Sequence, residues 1–290
     1  MSALDWLGLL IFGLLCLLFG GRRVLGYYCS AYYRATRVPY WTLRSDKGKA
    51  GEYEVYRKLR ALRGYKKFLL NCYLPRTDGA TTEIDVILLH SSGIHVFESK
   101  NYKGFIYGSG LRTEWSQTLF RGQNKVKNSF LNPMLQNELH IRCLKQFLWK
   151  YPQMRYFSYI VFEDQCTLNS ITLVNTAHQV LKRRELLRAV RKNAKKSSTK
   201  LDRETIDALY AQLYPLTQVS EKEKQQHIEH IEQRKNVRVF QPRVQRKRCP
   251  ECGGELVLRT ASRGKYRGES FYGCSNYPRC RYIQSVERKA

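Results

Sequence analysis

Apolar and polar positions along the chain switch period from block to block. From Lys49 to Arg63, Val55, Leu59 and Leu62 recur at helical spacing, which predicts an amphipathic helix. Two strand-like runs follow, Thr82–His90 and Ile94–Lys100, and Ser91-Ser92-Gly93 between them is a tight-turn signal. Asn132-Pro133 opens a predicted helix that runs to about Tyr151, with proline near the start, where a missing N–H is tolerated. Tyr156–Phe162 and Ser170–Val174 are apolar, β-branched and aromatic, and read as strands. His178–Asn193 and Asp202–Tyr214 read as helices, the second with Asp202 as its N-cap. Ser220–Lys235 is polar and charged, a helix or linker without a clear core face. No internal repeat is visible.

The N-terminus breaks this pattern. Trp6–Gly21 contains no charged residue and, counted from Ser2, is just long enough to span a bilayer as a helix. A cleaved signal peptide would want a basic start and a cleavage site of small residues. Neither is present, so the pattern predicts an uncleaved, single-pass membrane anchor. Arg22, Arg23, Arg34, Arg37, Arg44, Lys47 and Lys49 follow it, and the positive-inside rule then places the bulk of the chain in the cytoplasm. Tyr27–Leu43 is aromatic and basic, which suits either a membrane interface or a plain juxtamembrane linker.

Charge changes the picture further. The 290 residues hold 51 Lys+Arg against 24 Asp+Glu, a formal charge of +27. Such an excess favours polyanionic partners, nucleic acid first and anionic lipid second. It is also uneven, because Lys182–Lys200 is almost wholly basic among its charged positions. Apolar content of 43% is enough for a real core and excludes wholesale disorder.

Of the nine cysteines, Cys16, Cys29, Cys72, Cys143 and Cys166 are scattered singly, whereas Cys249, Cys252, Cys274 and Cys280 are spaced C-x2-C-x21-C-x5-C. That spacing predicts one structural Zn²⁺ held by four thiolates, with the other thiols free in a reducing compartment. The segment resembles the C-terminal zinc-binding repeats of type IA DNA topoisomerases. The matching residues are Cys249-Pro250-Glu251-Cys252-Gly253, Phe271, Gly273-Cys274-Ser275-Asn276-Tyr277-Pro278 and Cys280-Arg281-Tyr282. The resemblance implies binding of single-stranded DNA. Phe271, Tyr272, Tyr277 and Tyr282 are then candidates for base stacking, and Arg259, Arg263, Lys265, Arg267, Arg279 and Arg281 for phosphate contacts. Some of these aromatics must instead fill the small ribbon core.

Thr82–Lys100 carries the candidate chemistry. Asp85 sits in the first strand, and Glu98 and Lys100 in the second. Strand alternation puts Glu98 and Lys100 on one face with Val96, and a hairpin can set Asp85 beside them; Glu83, of the same parity, is a rival for Asp85. Glu52 shares the apolar helix face with Val55 and Leu59, whereas Glu54 does not. Converging carboxylates suit a hard divalent cation, Mg²⁺ or Mn²⁺, and a nearby lysine suits the attacking water in phosphodiester hydrolysis. The segments KGKAGEYEV, TTEID, GIHVFESKNYKG and IYGS, with Trp115, Gln117, Asn132-Pro133, Gln136 and His140, resemble the nuclease-related domain of the PD-(D/E)XK superfamily. By that resemblance Glu52, Asp85, Glu98 and Lys100 occupy catalytic positions, and Gln136 matches a family glutamine on the helix after the core strands.

The expected fold is therefore α/β, a restriction-endonuclease-like core between an N-terminal transmembrane helix and a C-terminal zinc ribbon. The expected segments are an anchor over 1–24, a juxtamembrane linker over 25–44, a nuclease-like domain over 45–163, its helical continuation over 164–216, a linker over 217–245 and the ribbon over 246–290. The leading expectation is a membrane-anchored nuclease acting on DNA. The rival is a non-catalytic DNA-binding protein that tethers DNA or a DNA-processing complex at the membrane, which explains the charge, the anchor and the ribbon but not the joint presence of Glu52, Asp85, Glu98 and Lys100.

Overall fold

The computed structural model describes residues 20–173, 177–198, 200–240, 249–260 and 270–285. The chain divides into two compact units, Met1–His227 and Ile228–Ala290.

In the first unit, helical residues 20–28 lead into α1 (Ala31–Thr36), α2 (Tyr40–Ser45) and α3 (Lys47–Leu59). A meander of β1 (Lys66–Pro75), β2 (Thr81–His90) and β3 (Gly93–Lys100) comes next. Then come β4 (Gly104–Ser109), β5 (Glu114–Arg121), β6 (Asn124–Leu131), α4 (Pro133–Phe147), β7 (Tyr156–Phe162), β8 (Cys166–Thr172) and β9 (His178–Lys182). The helices α5 (Leu186–Lys196) and α6 (Arg203–Leu213) complete this core, and α7 (Glu221–Phe240) runs into the second unit.

The main sheet has the order β1-β2-β3-β7-β9. Its first three strands are antiparallel, while β3, β7 and β9 run parallel. The parallel pairing of β3 with β7 needs a long crossover, and β4–β6 and α4 supply it. β2 and β3 are buried almost end to end because helices cover both sheet faces. On one face Val55, Tyr56 and Leu59 of α3 and Leu186 and Val190 of α5 pack against Val86, Leu88, Phe97 and Tyr159. On the other, Cys143 and Leu144 of α4 and Ile206, Leu209 and Leu213 of α6 pack against Ile84, Ile87, Ile94 and Val96. Asp202 caps α6 through Thr205 N (2.7 Å), and Asn132 caps α4 through Met134 N (2.9 Å). A second sheet has the order β6-β5-β4-β8 and rises from the end of β3. The β2–β3 turn depends on Gly93, at φ +129°, where a side chain would collide with the Arg155 carbonyl.

The N-terminal expectation is corrected. Among the described residues no helix is long and apolar enough to cross a membrane, so a transmembrane helix, a single-pass topology and the cytoplasmic placement derived from it are not supported. Most of Trp6–Gly21 lies outside the described residues. The segment expected to act as a linker has a different use: Tyr27 (1% exposed), Tyr32 (0%) and Leu43 (4%) are core side chains of the first unit. Tyr27 OH donates to the Val38 carbonyl (2.6 Å), and the Tyr27 ring meets Tyr53 of α3 at 5.2 Å. Aromatic residues read as interfacial are here a cover for α3.

Two strand assignments also move. The expected strand Ser170–Val174 is β8, and the expected helix from His178 begins as β9, with α5 starting at Leu186.

The second unit contains a three-stranded antiparallel sheet of β10 (Leu256–Thr260), β11 (Ser270–Cys274) and β12 (Ile283–Ser285). Its core is small: Leu256 and three buried cysteines, with Tyr272 and Tyr282 against them.

Candidate active site and zinc centre

The acidic cluster is assembled from one helix and two strands. Glu98 comes from β3 and is 4% exposed. Its Oε1 accepts the Lys100 ammonium at 2.6 Å, the same-face neighbour expected from strand alternation. Its Oε2 lies 3.5 Å from His140 Nδ1 on α4. Asp85, on the neighbouring strand β2, accepts the backbone N–H of Ser99 at 2.9 Å. Glu52 sits in the first half of α3. Its helix approaches the end of β3 closely because residue 51 is glycine, where a Cβ would come within 2.8 Å of Ser99 Oγ and 3.1 Å of Asn101 Cβ.

The electrostatics follow from crowding three acids around one lysine. Burial, then Glu98 and Glu52, push the Asp85 carboxyl well above the usual carboxylate range. Burial pushes Glu52 up to about 7, with Glu83 adding to the rise and Lys49 and the Asn71 amide opposing it. Burial pulls the Lys100 ammonium down, but Glu98 and Asp85 more than compensate and hold it above its ordinary value. Burial lowers the His140 pKa, with Glu98 opposing the shift.

Sequence reasoning missed Asn71. It falls opposite Asp85 in β1, where the β1–β2 ladder skips one pair without a change of register, and it is held at φ +51°, a left-handed conformation that asparagine tolerates. Its Nδ2 donates to Glu52 Oε2 (3.2 Å) and to Glu83 Oε1 (2.9 Å). Glu83 is thereby tied to Glu52, and Asp85 is the acid of β2 that neighbours Glu98. Tyr32 OH, 3.5 Å from Glu52 Oε2, closes this side. An isolated asparagine in an apolar run carries no sequence signal for such a role, because its left-handed backbone and its partners are set by the fold around it.

On α4, Gln136 and His140 lie one turn apart and each buries a polar atom, Gln136 Oε1 and His140 Nδ1, that has no hydrogen-bond partner among the described residues. Asn137 between them fastens the helix to the sheet through Val96 O (3.2 Å) and Ser158 Oγ (2.8 Å). The donor chemistry fits a hard divalent cation: several carboxylate oxygens with one lysine for countercharge, and an orphaned amide oxygen on the flanking helix. The carboxylates stand further apart than the cysteines, which are the one group among the described residues whose ligand atoms all lie within 4.8 Å.

In the ribbon, Cys249 Sγ lies 3.6 Å from Cys280 Sγ, and Cys252 Sγ lies 3.4 Å from Cys274 Sγ. Four thiolates around a tetrahedral zinc at about 2.3 Å stand about 3.8 Å apart, so the cluster fits the ion. Gly253, at φ +68°, makes the first knuckle, and its N–H donates to the Cys249 carbonyl at 2.8 Å. The Asn276 N–H points at Cys274 Sγ (3.4 Å) in the second. Tyr277 is 61% exposed with the Arg259 guanidinium 5.9 Å from its ring, and Arg279 and Arg281 are exposed. Tyr272 packs on the cysteine core instead. Arg263, Lys265 and Arg267 lie outside the described residues.

Residues 47–163 match the family model described as nuclease-related domain, and residues 246–289 match that of the topoisomerase DNA binding C4 zinc finger. An uncharacterized protein of Bacillus anthracis is 34% identical over 154 residues, which cover 53% of this chain and 68% of that protein. DNA topoisomerase 1 of Methanocaldococcus jannaschii is 50% identical over 41 residues, 14% of this chain but 5% of the enzyme. The uncharacterized protein YrdD of Escherichia coli is 43% identical over 42 residues, 14% of this chain and 21% of YrdD. No solved structure matches the chain.

Proposed function

The chain belongs to the nuclease-related domain family, and on that premise we propose that it is a divalent-metal-dependent nuclease acting on DNA, with its topoisomerase-type ribbon as a contact for single-stranded DNA. The observation that carries the reading is the cluster of Glu52, Asp85 and Glu98 beside Lys100, in which Glu98 and Glu52 push the Asp85 carboxyl up and one ammonium faces three acids. Burying such a set is costly without a cation.

In this reading Asp85 and Glu98 hold Mg²⁺ or Mn²⁺, which when bound supplies Lewis acidity at the phosphate and lowers the pKa of its water. Lys100 keeps an ammonium at Glu98 and places positive charge where the phosphate becomes more negative. Glu52, with a pKa near 7, is poised to take a proton at its Oε atoms. Asn71 positions Glu52, and His140 faces the second oxygen of Glu98. Gln136 offers its unpartnered Oε1 from α4. In the ribbon, Tyr277 is the exposed stacking surface, flanked by Arg279 and Arg281.

The test is cleavage of DNA by the purified chain with Mg²⁺ or Mn²⁺. Asp85→Ala, Glu98→Ala and Lys100→Ala should each lower the rate by about 100-fold or more, since each removes a charge that acts on the reacting group. Glu54→Ala should not, because Glu54 pairs with Arg57 (2.7 Å) on another face of α3. Equal trace cleavage by wild type and Glu98→Ala would mark the activity as contamination and leave a non-catalytic DNA-binding protein.

A further inference from the structure

The second sheet has a covered face and an open one. Ile106, Trp115, Phe130 and Leu168 turn toward the core beneath it, against Ile160, Phe162 and Met134. Strand alternation sends Phe105, Tyr107, Thr118, Phe120, Lys125 and Lys127 the other way. The register sets Phe105 beside Thr118, Thr118 beside Lys127, and Phe120 beside Lys125. The Phe105 and Phe120 rings meet edge to face at 5.7 Å, and Phe120 is still 58% exposed. Lys125 and Lys127 are exposed, as are the first six residues of β6. Between Lys103 and Leu131 the sequence has five basic residues, Lys103, Arg112, Arg121, Lys125 and Lys127, against one acid, Glu114. An exposed ring packed on a half-buried one, beside lysines with no ion-pair partner among the described residues, matches a strand of unpaired bases and its phosphates, since stacking needs an exposed ring and the backbone needs positive charge.

We propose that the open face of β4–β5–β6 is a binding platform for single-stranded DNA, with bases stacked on Phe105, Tyr107 and Phe120 and phosphates met by Lys125 and Lys127. The proposal deepens the nuclease reading and rests on it for the role of the bound strand. β4 begins four residues after Lys100, and Glu163 N donates to the Lys100 carbonyl at 3.2 Å at the foot of this sheet. The platform is thus an outgrowth of the strand that bears Glu98 and Lys100. Its rigidity comes from Trp115, whose indole fills the space that a side chain at Gly108 would need and whose Nε1 donates to Ser109 O at 3.1 Å.

The test uses the zinc-loaded full chain without added Mg²⁺ or Mn²⁺ and a bromodeoxyuridine-substituted single-stranded oligonucleotide. Photocrosslinking and peptide mapping should find adducts on the peptides that carry Phe105 and Tyr107 or Phe120, separate from any on the ribbon. Phe120→Ala, at a site too exposed to threaten the fold, should abolish the sheet adducts and weaken binding about 10-fold. Lys125→Ala with Lys127→Ala should lower the slope of log affinity against log salt by about 1.4, or about 0.7 per phosphate contact. Adducts confined to the ribbon, or affinity and salt slope unchanged in both variants, would overturn the platform, including the case in which the face takes an acidic protein. Sheet adducts without Mg²⁺-dependent cleavage would sink the nuclease reading and leave the platform standing. Cleavage with unchanged binding in the variants would do the reverse.

Discussion

At the scale of single residues, the site is held by side chains that were legible in the sequence and by others that were not. Glu98 and Lys100 were legible because a two-residue spacing in a strand fixes a shared face. Asn71 was not, because its left-handed backbone interrupts the β1–β2 ladder at a single pair and leaves no mark in the pattern of apolar residues. Asn71→Ala should leave Glu52 and Glu83 without their shared amide, lower cleavage about 10-fold and leave oligonucleotide affinity unchanged, a split that comparison of kcat with binding would expose. His95 makes a different prediction. It is fully buried, bonded through Ser92 Oγ (2.9 Å) and Tyr159 OH (3.2 Å), and burial lowers its pKa to about 3. Below an unfolded value of about 6.5 the unfolded chain binds a proton that the folded chain refuses, so stability falls as pH drops toward 3, by about 1.4 kcal/mol per pH unit. Glu52 and Asp85 act in the opposite sense, because their raised values make the folded chain take up protons above the unfolded range. The readout is therefore a difference. Denaturant titrations at pH 7 and 5 should show His95→Phe losing less stability on acidification than wild type, and equal losses would refute the assignment.

At the scale of elements, the helix α3 and the β2–β3 hairpin could be read from periodicity, whereas β1, β4, β5 and β6 were passed over. β4 and β6 mix polar and apolar residues and are only partly covered, β6 being exposed over most of its length, whereas β1 is largely buried and its apolar run is broken by Asn71. The start of β9 was read as helix because its few residues merge into the amphipathic α5 that follows. The ribbon was legible from cysteine spacing alone, since four thiolates around one ion leave few alternatives. Its core is too small to stand without that ion. Elemental analysis should find about one zinc per chain, and Cys274→Ser with Cys280→Ser should abolish it. Stripping the metal should melt the Ile228–Ala290 unit while the far larger core of the first unit keeps its cooperative unfolding transition. A chelator that leaves the ribbon's NMR shifts unchanged would contradict this.

For the whole molecule, the charge of +27 dictates how binding responds to ionic conditions. With arginines and lysines spread over both units, affinity for single-stranded DNA should fall steeply with salt, log affinity losing about 0.7 per decade for every phosphate neutralised. A flat salt profile would mean that the charge serves another partner. The same charge has a further consequence at β6. That strand closes one side of its sheet, so half of its backbone N–H and C=O groups have no neighbouring strand among the described residues. Such a border invites the same border of another copy, and lysines along it discourage the approach by mutual repulsion. Lys125 and Lys127 thus keep copies of the protein apart for as long as their charge is unscreened. Replacing both with valine should turn concentrated protein turbid within hours at low salt, a colloidal failure with no loss of fold, and light scattering beside an unchanged circular dichroism spectrum would register it.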